Sequence, residues 1–270
     1  MGIVNVTPDS FSDGGDWILA GAAAARGRQL VAEGADLVDI GGESTRPGAQ
    51  RASVDTELSR ILPAIEELAA AGVAVSVDTM RAEVARRAVA AGAVLVNDVS
   101  GGLADESMLA TVAELGVHYV AMHWRGFSDV MTELARYDDV VCEVAAELAA
   151  RRDAALAAGV APDRLILDPG LGFAKTEDHN WTILAHLDAF RALGQPLLIG
   201  ASRKRFLGAL LADEDGPRPP KQRDAASAAI TALVARRQVW GVRTHTAAEH
   251  RDAIAVAERL RTEEAAQGVG

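Results

Sequence analysis

The chain has 270 residues, 49% hydrophobic and 24% charged, with a net charge of -11. This balance suits a compact globule with a large core and excludes nucleic acid or an anionic membrane surface as the main partner. A lone cysteine, Cys142, permits no intrachain disulfide, and no apolar run approaches the about 18 residues needed to cross a bilayer, so the sequence reads as cytoplasmic.

Gly2–Val6 is a short apolar run with Asn5 near its end, and Thr7–Gly15 has the Pro, Ser, Asp and Gly content of a loop. An alanine-rich helix follows from about Leu19 to Glu33. Ala35–Ile40 is the second strand and runs into the polar, glycine-rich loop Gly41–Gly48, ahead of a helix over Val54–Ala71. Val73–Val77 ends at Asp78, with Thr79 placed to cap the helix Arg81–Ala91. Val94–Val96 ends in Asn97 and Asp98, and a helix over Asp105–Leu115 follows. Val117–Met122 leads to His123, Trp124 and Arg125, then an irregular piece and a long helix over Val140–Ala158.

The sixth strand, Leu165–Leu167, stops at Asp168, where Pro169, Gly170 and Gly172 turn the backbone before a single helix over Asp178–Leu193. Pro196–Ile199 leads to Gly200, Ala201, Ser202, Arg203 and Lys204. Ala212–Asp224 reads as a mobile loop, followed by a helix over Ala225–Arg237. Val239–Val242 ends in Arg243, Thr244 and His245, and Thr246 to Glu249 has capping-box spacing for the last helix.

Short apolar strands, each followed by a helix, predict an α/β fold: a (β/α)8 TIM barrel, with residues 1–270 as a single domain. An open doubly wound sheet is the other arrangement, but no G-x-G-x-x-G turn follows the first strand. Active sites of such barrels lie at the C-terminal ends of the strands. This gathers Asn5, Asp78, Asn97, His123, Asp168, Ser202, Lys204, Arg243 and His245 onto one rim. Each has a structural explanation alone, as a helix cap, a turn or an ion pair, but barrel stability does not require so many polar strand ends.

The rim divides chemically. Asp78, Asn97 and Asp168 offer acceptors suited to a flat, donor-rich heterocycle, and Lys204 adds a cationic donor. Arg243 and His245 precede the last helix, at the place where barrels hold phosphate. The loops Thr7–Gly15 and Gly41–Gly48 carry Phe11, Asp13, Arg46 and Pro47 and read as lids.

The runs N-V-T-P-D-S-F-S-D-G-G at Asn5–Gly15, G-G-E-S-T-R-P-G at Gly41–Gly48, S-V-D-T at Ser76–Thr79 and N-D-V-S-G-G at Asn97–Gly102 resemble the dihydropteroate synthase family. So do D-P-G-L-G-F-A-K at Asp168–Lys175, S-R-K at Ser202–Lys204 and R-T-H at Arg243–His245. The resemblance runs from the first strand to the last helix. It implies a folate-biosynthesis transferase that joins 6-hydroxymethyl-7,8-dihydropterin pyrophosphate to para-aminobenzoate, requires Mg²⁺, is open to competition by sulfonamides and works as a homodimer.

By the same resemblance Asp78, Asn97, Met122, Asp168 and Lys204 hold the pterin, while Asn5, Arg243 and His245 take the pyrophosphate, with Asn5 on the metal. Phe11, Thr45, Arg46, Pro47 and Phe173 wall the aminobenzoate pocket, and Asp13 stabilises a pterin cation left by departing pyrophosphate. Arg205 stands where many relatives carry a smaller serine. A pterin-dependent methyltransferase and a non-catalytic pterin-binding homologue are the alternatives.

Overall fold

The computed structural model describes residues 1–7, 16–43, 51–127 and 133–267. Eight parallel strands occur among them: β1 Gly2–Asn5, β2 Val38–Gly41, β3 Val75–Asp78, β4 Leu95–Asp98, β5 His118–Met122, β6 Leu165–Asp168, β7 Leu198–Ile199 and β8 Gly241–Val242. β1 to β6 pair in sequence order and β7 pairs with β8. Bridges Leu167 to Leu197 and Gly2 to Thr244 join the two sheets at both edges. Backbone bonds from Leu167 N to Pro196 O at 2.9 Å and from Ile3 N to Thr244 O at 2.8 Å complete the closure. The result is the expected (β/α)8 barrel, not an open sheet.

The helices are α1 Asp16–Ala32, α2 Val54–Ala70, α3 Ala82–Ala90, α4 Met108–Leu115, α5 Val140–Ala157, α6 Glu177–Ala185, α7 Leu187–Arg191, α8 Arg205–Leu210, α9 Asp224–Ala235 and α10 Ala248–Ala266. They pack on the outer faces of the strands, where Val4, Ile40, Val77, Val96, Tyr119, Leu165 and Ile199 meet the helical Leu30, Ile61, Leu68, Val84, Leu148 and Phe190 in one buried cluster. Tyr119 is buried and its hydroxyl donates to Asp98 Oδ2 at 2.8 Å. Tyr119→Phe is therefore expected to lower the unfolding free energy by about 1–2 kcal/mol, because a buried carboxylate oxygen loses a donor. Urea titration checks this, and an unchanged midpoint would show that the bond contributes nothing net.

Four local expectations need correction. Thr79 does not cap α3 by itself: its hydroxyl accepts from Arg81 N at 3.2 Å and donates to Glu57 at 2.7 Å, while Ala82 N is capped from across the fold by Asp105 Oδ2 at 2.8 Å. The helix expected over Asp178–Leu193 breaks at His186, whose Nδ1 bonds Thr182 O at 2.8 Å and competes with the helical ladder. The Thr246 to Glu249 capping box does not form. Thr246 Oγ1 is buried with no hydrogen-bond partner among the described residues, Ala247 occupies the N-cap position, and its amide reaches Oε2 of Glu33, just past the end of α1, at 3.4 Å. The stretch Ala212–Asp224 is built as a tight turn across Asp213 and Gly216 and a single 3-10 turn at Pro220–Gln222, anchored by the buried Arg223.

Candidate active site

Side chains alternate along a strand, so the residues two positions beyond the inner apolar set also point into the barrel. That apolar set is a small cluster of Leu95, Val120, Ile166 and Leu198 with Met1 and Leu37. Two residues further along the same strands stand Asn97, Met122, Asp168, Gly200 and Asp39. The barrel interior therefore changes from apolar to polar within one step of the pleat. Asp39 is a residue that sequence reasoning missed. Its signal was a charge inside an apolar strand, Leu37-Val38-Asp39-Ile40, and attention to strand ends alone passes over it.

Asp39 is fully buried and organises the pocket floor. Its Oδ2 accepts from Arg243 Nε at 2.6 Å and from Asn97 Nδ2 at 2.9 Å, and its Oδ1 has no partner among the described residues. Arg243 Nη2 also donates to Asp78 Oδ2 at 2.7 Å. Burial pushes the Asp78 carboxyl up to about 7, with Arg243 opposing the shift and Asp39 adding to it. Asp78, Asn97 and Arg243, read separately from three strand ends, thus form one hydrogen-bonded unit around Asp39.

Asp168 answers the question its position raised, because its two oxygens do different work. Oδ1 accepts from Gly170 N at 2.7 Å and closes the turn after β6. Oδ2 faces Gly200, where an added Cβ would lie 3.8 Å away. Burial raises the pKa of this carboxyl against the pull of the Gly170 amide and Lys204. Lys204 Nζ stands 4.1 Å over the centre of the Phe173 ring, a cation–π contact that ties the two residues together. Burial, reinforced by Arg243, brings the ammonium down to about 8. Gly172, at φ 78°, passes so close that a Cβ there would meet Lys204 Cδ at 2.9 Å, so a glycine is needed both for the turn and for the lysine stem.

His245 Nδ1 lies 3.0 Å from Ser202 Oγ, and the His245 amide donates to the same oxygen at 3.2 Å. Burial and the nearby Arg203, Arg243 and Lys204 lower its pKa to about 3, so the imidazole is neutral near pH 7. Asn5 pairs in register with Gly41, and its side chain makes no hydrogen bond among the described residues. Met122 pairs with Asp168 across β5 and β6 and is buried. Arg205 heads α8 and is exposed.

Phe11 and Asp13 in the first expected lid, and Thr45, Arg46 and Pro47 in the second, lie outside the described residues. The stem of the second loop is described and is firmly held. Arg81 bridges Glu43 and the buried Glu57, Arg51 pairs with Glu43 at 2.8 Å, and Arg60 donates to Gly42 O at 2.9 Å. Sequence reasoning also passed over Lys175, whose Nζ lies 2.9 Å from His123 Nδ1 and donates to Phe173 O at 3.1 Å. Burial brings this ammonium down to about 7. No cluster of three or more His, Cys, Asp or Glu side chains able to hold a metal occurs among the described residues.

The pocket therefore combines fixed acceptors on a rigid floor, a lysine stacked on an aromatic ring, and an arginine and a neutral histidine at one side. Residues 1–245 match the pterin binding enzyme family. A dihydropteroate synthase from Mycobacterium leprae is 55% identical over 95% of this chain and 91% of its own. The chain belongs to the dihydropteroate synthase family. It is accordingly a transferase.

A dihydropteroate synthase of Xanthomonas albilineans with 4-aminobenzoic acid superposes with a TM-score of 0.89 at 47% identity, covering 97% of this chain and 92% of that one. The same enzyme in complex with 7,8-dihydropteroate gives a TM-score of 0.85 at 45% identity with the same coverage. Among the described residues, no helix is long and apolar enough to cross a membrane.

Proposed function

We propose that this chain joins 6-hydroxymethyl-7,8-dihydropterin pyrophosphate to para-aminobenzoate, forming 7,8-dihydropteroate and pyrophosphate, and that residues 1–270 act as one barrel domain in the cytoplasm. The observation that carries the reading is the pocket floor. Asp168 Oδ2, Asp78 and Asn97 converge as acceptors for the amino and ring N–H groups of a pterin, and Lys204 stands ready for its carbonyl or ring nitrogen. Met122 lines the same wall. Phe173, held against Lys204, faces the aminobenzoate, with Phe11, Thr45, Arg46 and Pro47 assigned to the rest of that pocket. Sulfonamides, which resemble the acid, compete there.

Arg243 Nη1 and His245 Nε2 are the donors not engaged among the described residues, beside the bonds at the floor and at Ser202, and they take the pyrophosphate. A neutral imidazole binds the anion by donating a hydrogen bond, without a charge of its own. Asn5 would be the protein ligand for Mg²⁺. A side-chain amide oxygen with no hydrogen bond, and no carboxylate cage, among the described residues would suit a metal that takes few protein ligands. When bound, the metal would supply positive charge against the pyrophosphate. Arg243 and His245 stabilise the negative charge of the pyrophosphate, and the carbon–oxygen bond to it breaks with its electron pair leaving on pyrophosphate. Asp13 stabilises the resonance-stabilised pterin cation that remains, and the aryl amine attacks the exocyclic carbon and releases a proton to solvent.

Pyrophosphate release on mixing both substrates with Mg²⁺ tests the reading, and no release would overturn it. Asp13→Ala is expected to reduce turnover about 100-fold or more while changing pterin affinity less than about threefold, since it acts on charge that develops only in the transition state. A variant that binds poorly yet turns over normally once saturated would remove Asp13 from the chemistry.

The chain is further assigned to a homodimer. Leu210, Leu233, Val256 and Leu260 are exposed on α8, α9 and α10, a concentration of large apolar side chains at the C-terminal end of the chain. Sedimentation at micromolar concentration is expected to find two copies together. A monomer throughout the range would overturn this.

A further inference from the structure

Just before α9 lies a cation for which the proposed reaction has no direct use. Arg223 is 7% exposed and forms no ion pair among the described residues. Its Nε donates to Arg218 O at 2.6 Å, and its Nη1 donates to the carbonyls of Arg203 at 2.9 Å and Lys204 at 3.2 Å. A buried guanidinium without a carboxylate is costly unless other dipoles replace its water. Here three carbonyls do so, and two of them belong to the turn from which the Lys204 side chain departs.

That turn is under strain. Arg203 sits at φ 59°, in the left-handed region that a side chain disfavours. It is held there from α9 by its amide and by its side chain. Its amide donates to Ser227 Oγ at 3.1 Å, Ser227 Oγ donates in turn to Arg223 O at 2.9 Å, and its guanidinium meets both oxygens of Asp224 at 2.7 Å. The back of the Arg223 guanidinium lies against α8, where a Cβ on the buried Gly208 would fall 2.4 Å from Arg223 Cζ. Sequence position gives no hint of this clamp, because Arg223 closes a stretch that reads as a loop.

We propose that Arg223 is a positioning residue for Lys204: by holding the carbonyls of Arg203 and Lys204, it keeps the strained turn in the conformation that places the ammonium over Phe173 and toward the pterin. The inference rests on the reading of Lys204 as a pterin contact. It is tested by calorimetric titration of the full chain with 6-hydroxymethyl-7,8-dihydropterin pyrophosphate, using wild type, Arg223→Met, Lys204→Met and the double variant. Arg223→Met is expected to raise Kd about tenfold, Lys204→Met at least as much, and adding the first to the second is expected to change Kd less than about twofold, the non-additivity of two residues acting as a unit. Arg223→Lys, which keeps a donor for one carbonyl, is expected to recover part of the affinity.

If Lys204→Met weakens binding and Arg223→Met does not, the positioning role is overturned while the pterin reading stands. If Lys204→Met binds as wild type does, the pterin reading of Lys204 falls. A loss from Arg223→Met that survives undiminished in the Lys204→Met background shows Arg223 acting elsewhere and also overturns the proposal. Should Arg223→Met fail to fold, Gly208→Ala carries the same cycle, because it displaces the guanidinium without removing it. An unchanged Kd for a folded Gly208→Ala then counts against the proposal.

Discussion

Arg243→Ala is expected to lower the unfolding free energy by about 3–5 kcal/mol near neutral pH, the largest stability loss of any single change in the pocket, because it leaves two buried carboxylates without their shared cation. Arg243 bonds Asp39 at 2.6 Å and Asp78 at 2.7 Å, and Asp39 is fully buried. The loss should depend on pH with a defined sign. Asp78 has its native pKa raised from 3.8 to about 7, so its contribution to stability is fully present below about pH 4 and is lost as pH rises through 7, when the buried group must ionise. Arg243 opposes that shift. Without it the carboxyl rises further, and the penalty at high pH grows.

Urea titrations of wild type and variant at pH 5 and pH 8 should therefore show the larger difference at pH 8. Equal losses at both values would mean that Arg243 stabilises by packing and not by charge. The geometry also changes what the substitution should do to ligands. From the sequence, Arg243 stands at the phosphate end of the rim, and its removal should spare free pterin. Its contact with Asp78 places it against the pterin floor as well, so Arg243→Ala is expected to weaken both.

This difference shows what was legible in the chain and what was not. The barrel could be read because each strand and helix announces itself locally: continuous apolar runs, then alanine-rich helical periods, repeated to closure. The rim could be read because the fold rule converts strand ends into neighbours. Which rim groups bond to one another could not be read, since Arg243 and Asp39 are 204 positions apart and meet only through barrel closure. The caps failed for the same reason. Thr79 and Thr246 have suitable spacing for their helices, yet Asp105 and Glu33 reach the two helix starts from distant segments. Lys175 and Arg223 were missed because a buried cation bonded to carbonyls or to an imidazole leaves no pattern in sequence.

Asp168→Asn is expected to raise the Kd for 6-hydroxymethyl-7,8-dihydropterin pyrophosphate about 100-fold, close to 3 kcal/mol, the scale of losing charge-assisted hydrogen bonds to two ring donors. The turn after β6 should survive. An asparagine oxygen still accepts from the Gly170 amide, as Oδ1 does at 2.7 Å, and the change falls on the atom facing Gly200. There an acceptor becomes an N–H donor and meets the donors of the ring. Stability should move the other way. The raised pKa of Asp168 means that ionisation costs the fold free energy above its unfolded pKa, despite Lys204, Lys175 and Arg243 nearby. A neutral asparagine avoids that cost, so at pH 7 the variant should unfold at the same or a higher urea concentration while binding far less pterin. A variant that binds as tightly as wild type would remove Asp168 from the pterin site, and one that loses stability and affinity together would show that the carboxylate holds the turn more than the ligand. The expected split, weaker binding without weaker folding, is the mark of a charge kept in the barrel floor for what it binds.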